Sequence, residues 1–211
     1  MNTLPLQGLR ILAVEQYGAG PYGSMHLADL GAEVIKIESP PGGDVSRGTG
    51  PYFLGEGDSL FFQTFILNKR SLRLDLKAAE GREVFERLVG TADAVLNNLR
   101  GDQPVKLGLD YARLGKLNPK VVCAHLSAYG RDNERAAWPG YDYLMQAEAG
   151  FMALTGEPDA PPARFGLSMV DFMTGTTMSL GLLAAVIGAM RTGLGRDVDV
   201  SLFDVALHQL S

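Results

Sequence analysis

The chain has 211 residues, 46% hydrophobic and 20% charged, the proportions of an ordinary globular protein with room for one large domain or two small ones. A formal net charge of -5 excludes wholesale nucleic-acid binding through a basic surface, so any anion site must be local. The single cysteine, Cys123, excludes an internal disulfide and reads as a small buried strand residue in a reducing, cytoplasmic compartment. As a thiol nucleophile it has only His125 nearby in sequence to lower its pKa. The N-terminal Met1-Asn2-Thr3-Leu4-Pro5 lacks a basic region followed by an apolar core, so no signal peptide is expected.

Residues 9–15 read as a strand. A glycine-rich loop follows, then a short helix through Met25–Leu30 with Gly31 as its terminator, and a second strand over 32–38. This is a β-α-β unit with parallel strands. Gly18-Ala19-Gly20-Pro21-Tyr22-Gly23 matches G-x-G-x-x-G, and Glu38 lies 20 residues after Gly18 at the end of the next strand. That is the dinucleotide fingerprint, with an acid placed for a ribose hydroxyl, and it makes an NAD- or FAD-dependent oxidoreductase one reading. A tight turn without a nucleotide is the other. The short helix and the lack of a recognisable hydride-transfer site weigh against the oxidoreductase.

Residues 42–58 are rich in glycine and read as an active-site loop or a surface excursion. A third strand is expected at Ser71–Leu76, then a helix at Ala79–Val89, a strand at Ala94–Asn97, a helix near Tyr111–Leu117 and a strand at Lys120–Leu126. Alternating strands and helices favour an α/β fold with an open, mostly parallel, Rossmann-like sheet and flanking helices. Beyond Gly130 come a polar loop, a helix from Tyr141, a proline-rich loop at 158–162 and a long helix after Asp171. Residues 193–196 read as a turn, Val198–Ser201 as a short strand and Leu202–Ser211 as a last helix.

Asp171 stands at the front of an uncharged run from Phe172 to Met190. The run is long enough for a membrane span, but it holds Gly175, Gly181, Gly188, three threonines and a serine, with no aromatic belt at its far end. It therefore reads as a small-residue helix buried in a soluble core. A helix's first turn tolerates an anion, because its free N–H groups and dipole favour negative charge. Asp171 is then either a helix cap or a carboxylate held in a dry pocket for covalent chemistry.

The blocks taken together resemble the class III coenzyme A-transferase (CaiB/BaiF) family, from Leu6 to the last residue. They are Leu6-Gln7-Gly8-Leu9-Arg10-Ile11-Leu12, Ala19-Gly20-Pro21, Leu30–Glu38, Gly43-Asp44 with Arg47-Gly48, and Asn68-Lys69-Arg70-Ser71-Leu72 with Leu74-Asp75-Leu76-Lys77. Then follow Leu107-Gly108-Leu109, Leu117-Asn118-Pro119, Ser127-Ala128-Tyr129-Gly130 and Pro139-Gly140-Tyr141-Asp142. Asp171 with Gly175, and Gly193-Leu194-Gly195-Arg196 leading to Ser201-Leu202-Phe203-Asp204, complete the set. Each block is weak alone; their number, order and spacing carry the resemblance.

The resemblance implies a Rossmann-like coenzyme A-binding domain, a smaller domain and an interlocked homodimer. Family members are about twice as long, so residues 1–211 are expected to be the N-terminal part of the large domain, without the small domain and C-terminal return segment. The implied reaction moves coenzyme A from an acyl thioester to a free carboxylic acid through a covalent intermediate on Asp171. It needs neither ATP nor a metal, and the chain has no phosphate-binding G-x-x-x-x-G-K-[ST] loop and no cysteine-histidine cluster at ligand spacing. Asp142 falls where a second acidic residue assists in some members; its local reading is a cap for the helix starting Tyr143-Leu144-Met145. By position, the expected coenzyme A contacts are Tyr17, Gly18, Ala19, Leu74, Lys77, Asn98, Leu99 and Lys106. Gly18 stands where some members carry a glutamine, with Gln16 offset from that point. Cations for the phosphates are expected from Lys69, Arg70, Arg73, Lys77, Arg100 and Lys106. Acyl-CoA racemases share the fold but pair the aspartate with a histidine where this chain has Tyr141. A tyrosine is a poor base near neutral pH, which makes racemisation the second choice.

Overall fold

In the computed structural model, which describes residues 3–210, the chain opens with the β-α-β unit. Strands β1 (Arg10–Val14) and β2 (Glu33–Glu38) run parallel, with Ile11 opposite Val34 and Leu12 opposite Ile35. The helix between them, α1 (Ala19–Asp29), is longer than its sequence predicts, because it begins inside the glycine run. Pro21 falls in its first turn, where the N–H that proline lacks would have no intrahelical partner. Gly31 ends the helix at φ +103, and the amides of Gly31 and Ala32 bond back to the carbonyls of Ala28 and Leu27. This paired closure favours a glycine, which tolerates the left-handed conformation.

The segment predicted as a loop folds into a 3₁₀ turn (Val45–Gly48), a two-strand ribbon of β3 (Phe53–Gly55) and β4 (Asp58–Ser59), and a helix α2 (Leu60–Ile66). The Ser59 hydroxyl accepts from the Phe62 amide and starts α2. Strand β5 (Lys69–Arg73) begins two residues before the predicted Ser71 because its pairing with β2 starts at Lys69 opposite Val34. Helix α3 (Ala79–Val89) and strand β6 (Ala94–Asn97) have the predicted bounds. A short helix α4 (Gln103–Leu107) precedes α5 (Tyr111–Leu114), which is shorter than expected, and β7 (Val122–Ser127) follows. After an irregular stretch come α6 (Asp142–Glu148), α7 (Phe151–Leu154), the long α8 (Met169–Thr192), β8 (Asp197–Ser201) and α9 (Leu202–His208). Ser211, the end of the predicted last helix, lies outside the described residues, as do Met1 and Asn2 of the N-terminal segment.

The main sheet has six strands in the order β5-β2-β1-β6-β7-β8, every neighbouring pair parallel. The chain winds outward from β1 to β5, then returns to β6 on the other side of β1. The loops after β1 and β6 therefore diverge and open a crevice at the carboxyl edge of the sheet, the usual ligand position in such folds. Alternation along β1 feeds two cores. Ile11 and Ala13 pack with α1, α8 and α9, while Leu12 and Val14 pack with α3 and α5.

Helix α8 lies across α1 with almost no gap: a Cβ added to Gly23 would sit 2.4 Å from the Gly175 carbonyl oxygen, and one added to Gly175 would sit 2.4 Å from that of Ala19. Its small residues thus serve close helix contact. The helix is long and apolar enough to cross a membrane by length and composition alone, yet Met178, Leu182, Val186 and Ala189 are buried in the first core. It is buried along one side only. On the other, Leu180 is 70% exposed and Met190 69%, whereas the segment 202–210 buries Leu202, Val205 and Ala206 and exposes Leu207 and Leu210.

Candidate active site

A cavity of about 660 Å³ opens at the carboxyl ends of β1, β6 and β7. Its walls are the turn Gln16–Ala19, the segment Asn98–Arg100 with Gln103, the segment Leu126–Ala128, the stretch Trp138–Tyr141, and Asp171 with Leu202. Asp171 is the one carboxylate and Arg100 the one cation among these lining residues.

Asp171 is the third residue of α8, but it does not cap that helix. Asp142 does: its Oδ2 accepts from the Val170 amide at 2.7 Å and from the Asp171 amide at 3.2 Å. Asp142 is the first residue of α6, whose own cap residue Tyr141 makes no side-chain bond, so the local cap expected of Asp142 is replaced by a cap on α8. The Asp142 carboxylate is buried and is also held by the Gln146 side-chain amide. Relieved of capping, the Asp171 carboxylate faces the cavity, against Gly18: a Cβ on Gly18 would lie 2.8 Å from Asp171 Oδ2. Burial, reinforced by the negative charge of Asp142, pushes the Asp171 pKa up from 3.8 to about 7. A poorly solvated carboxylate of that basicity suits nucleophilic or proton-transfer chemistry at neutral pH.

The dinucleotide fingerprint has a different physical content. Gly18 leaves room for Asp171, Gly20 for Asn98, whose Cγ would be 2.8 Å from an added Cβ, and Gly23 for the backbone of Gly175. All three close approaches are to the protein itself. Glu38 is equally committed. Arg47 grips it with Nε at 2.7 Å and Nη2 at 2.8 Å, the Asp44 amide donates at 2.8 Å, and Ser71 Oγ donates as well. Burial pushes the Glu38 pKa up, but the bonds from Arg47, Ser71 and Asp44 outweigh it and hold it at about 2. No acid is left free there for a ribose hydroxyl, which removes the basis of the oxidoreductase reading.

Of the expected coenzyme contacts, Tyr17, Gly18, Ala19, Asn98 and Leu99 line the cavity with Asp171, while Leu74, Lys77 and Lys106 do not. Leu74 packs on the second core, Lys77 is exposed, and Lys106 pairs with Asp102 at 2.6 Å. Of the expected cations, only Arg100 lines the cavity. Lys69 is withdrawn from any such role: its buried ammonium meets Glu15 at 2.9 Å, the Pro21 carbonyl at 2.7 Å and Ser24 Oγ at 2.6 Å. Arg70 reaches Glu33 at 3.1 Å. Gln16 lines the cavity beside Tyr17.

Cys123 is fully buried, and burial pushes its thiol far above the ordinary range, which excludes a thiolate nucleophile. His125 is buried between Asn97 and Asp197, each 2.8 Å from a ring nitrogen. Among the described residues, no histidine lines the cavity and no group of three or more metal-binding side chains is found. The sequence reading passes over Trp138 and Gln103. Trp138, the one tryptophan of the chain and half exposed before Pro139-Gly140, carries the signal that could have found it.

A sequence profile of CoA-transferase family III matches residues 6–211. The chain belongs to the class III CoA-transferase family. Within it, the chain is 41% identical over 206 residues to succinate–glutarate CoA-transferase of Agrobacterium fabrum, covering 95% of this chain and 52% of that protein. It is 40% identical over 205 residues to acetyl-CoA:oxalate CoA-transferase of Acetobacter aceti, covering 96% and 52%. The crystal structure of a CAIB/BAIF family protein from Brucella suis superimposes with a TM-score of 0.93 at 37% identity, covering 100% of this chain and 56% of that one. The chain thus spans about half the length of the curated relatives it matches.

Proposed function

We propose that these residues form the nucleophile-bearing, N-terminal part of an enzyme that transfers coenzyme A from an acyl-CoA thioester to a free carboxylic acid, with Asp171 as the nucleophile. One observation carries the reading: Asp171 is the one carboxylate lining the cavity, and burial with Asp142 beside it raises its pKa to about 7. Ionised Asp171 attacks the thioester carbonyl; the C–S bond breaks, leaving an acyl-aspartyl anhydride and coenzyme A thiolate. The thiolate attacks the aspartyl carbonyl and the donor acid departs as carboxylate, which leaves an aspartyl thioester. The acceptor carboxylate attacks that thioester, expels the thiolate and forms a new anhydride. Attack of the thiolate on the acceptor's acyl carbon releases the new acyl-CoA and restores Asp171. One thioester replaces another, so no ATP and no metal enter the scheme.

The substrates named for the relatives, succinate with glutarate and oxalate with acetyl-CoA, support short dicarboxylic acids as the acceptor class. In the same reading the reactive end of coenzyme A lies among Tyr17, Gly18, Ala19 and Leu99. The nucleotide end runs along the strand ends toward Leu74, Lys77 and Lys106, which stand outside the cavity. An interlocked homodimer and a cytoplasmic location complete the proposal. The apolar outer face of α8 supports a further packing partner, and the free, buried Cys123 suits a reducing compartment. Racemisation is not favoured: no histidine lines the cavity among the described residues, and Tyr141 occupies the wall.

The test uses the full-length polypeptide. Mixed with acyl-CoA and quenched, it should carry a coenzyme A adduct on the peptide containing Asp171, and hydroxylamine should convert that residue to a hydroxamate. Exchange of the alpha proton with deuterated water, with no adduct, would instead identify a racemase.

A further inference from the structure

Tyr17 has φ +66, a left-handed conformation that a bulky residue rarely adopts. Such a conformation persists only where the surroundings over-determine it. Here they do, through four successive backbone groups, each held by a side chain from elsewhere. The Glu15 carbonyl accepts from Lys36 Nζ at 2.9 Å. The Gln16 amide donates to Asn98 Oδ1 at 2.9 Å, and the Gln16 carbonyl accepts from Asn98 Nδ2 at 2.7 Å. The Tyr17 amide donates to Asp44 Oδ1 at 3.1 Å. Lys36 in turn pairs with Asp44 at 2.7 Å, and both are buried. The next residue is Gly18, whose backbone abuts the Asp171 carboxylate.

We propose that Asn98 is a positioning residue, whose carboxamide clasps Gln16 across the crevice between β1 and β6 and so sets the wall against which the Asp171 carboxylate is aimed. This rests on Asp171 being the nucleophile. It differs from the coenzyme contact expected of Asn98 by family position. Both ends of the amide are already bonded to the Gln16 backbone, leaving little of it for a ligand. The packing agrees: Gly20 lacks a side chain where the Asn98 stem lies, within 2.9 Å of an added Cβ. The clasp also joins the two loops whose divergence opens the cavity, so losing it shifts the wall rather than removing a substrate contact.

Two variants of the full-length enzyme test this. Asn98→Ala deletes the clasp. Gly20→Ala leaves Asn98 in the sequence but pushes its side chain off Gln16, and a helical alanine is expected to fold. Both should lower kcat, and the single-turnover rate of Asp171 adduct formation, by about ten- to a hundredfold, the usual effect of misplacing a reacting group by about an ångström. KM for acyl-CoA should stay within about twofold, as uniform binding is untouched. A raised KM with unchanged kcat in Asn98→Ala would make Asn98 a coenzyme contact and overturn the inference, as would unchanged kinetics in Gly20→Ala. The wild type separates this from the underlying assignment: if it forms no adduct on Asp171, the nucleophile itself is wrong, whatever the variants do.

Discussion

Two groups of carboxylates lie on either side of the Gln16–Gly18 turn, and they behave oppositely. Behind the turn, Glu15 and Asp44 are buried with Lys36 and Lys69. Burial pushes both acids up, but the two lysines pull Glu15 below its ordinary range, and Lys36 does the same for Asp44. In front of the turn, burial pushes Asp171 up in the same way, and its charged neighbour is Asp142, which pushes it further, to about 7. Burial acts alike on both sides; the sign of the neighbour decides the outcome. The rear group is a frame in which paired lysines hold the acids ionised. The front group is a carboxylate whose charge is poorly tolerated and therefore reactive.

The sharpest test of that contrast removes the charge in front. In the full-length enzyme, Asp171→Asn should abolish transfer, with kcat down at least about a thousandfold by loss of the nucleophile. The fold should survive, since Asp142 and not Asp171 caps α8. Between about pH 4 and pH 7 the native state holds a proton on Asp171 that the unfolded chain has released, so stability falls as pH rises through that window. Asp171→Asn lacks this loss and should be the more stable protein at pH 8 and not at pH 4, measured by urea unfolding at both. A variant less stable than wild type at pH 8 would mean that the carboxylate is favourably bound after all.

Behind the turn, Lys69→Met should act in the opposite sense. It leaves Glu15 with Lys36, 3.7 Å away, as its one remaining cation beside the Ser24 hydroxyl, and should lower unfolding free energy by about 3–5 kcal/mol at neutral pH. The loss should shrink as the pH falls far enough to protonate Glu15. A change below about 1 kcal/mol would make the cluster incidental.

The finest adjustment is Asp142→Asn. An amide oxygen still accepts from the Val170 amide, but the like charge beside Asp171 is gone. The acid limb of kcat/KM, expected near pH 7 in the wild type as Asp171 ionises, should move to lower pH. An unmoved limb would assign that ionisation to another group.

The alternation of strands and helices rests on patterns of short range, and these are readable in the sequence. Helix α3 has an apolar stripe, and β6 is a fully buried run of three apolar residues closed by Asn97, so both have the predicted bounds. Glycine misled at α1. Its spacing reports that something approaches the backbone closely, but not what; here it is Asp171, Asn98 and Gly175 rather than a pyrophosphate. Asp171 was legible as a lone charge before an apolar run, given direction by the family blocks. The cap supplied by Asp142 from 28 residues away and the withdrawal of Lys69 into a buried pair are contacts between distant segments, and no local pattern encodes them.

The contact between Gly23 and Gly175 has a consequence for how this cavity can diversify. With a carbonyl 2.4 Å from where either side chain would begin, α1 and α8 have no slack between them, and the jaw that carries Asp171 and Gly18 is of fixed gauge. If the proposed function holds, then within the described residues the adjustable part of the cavity is the facing jaw, the irregular stretch from Ala128 to Tyr141 that carries Trp138. On that reading, substitutions there would retune reach while the contact of α1 with α8 keeps the aim of Asp171 unchanged.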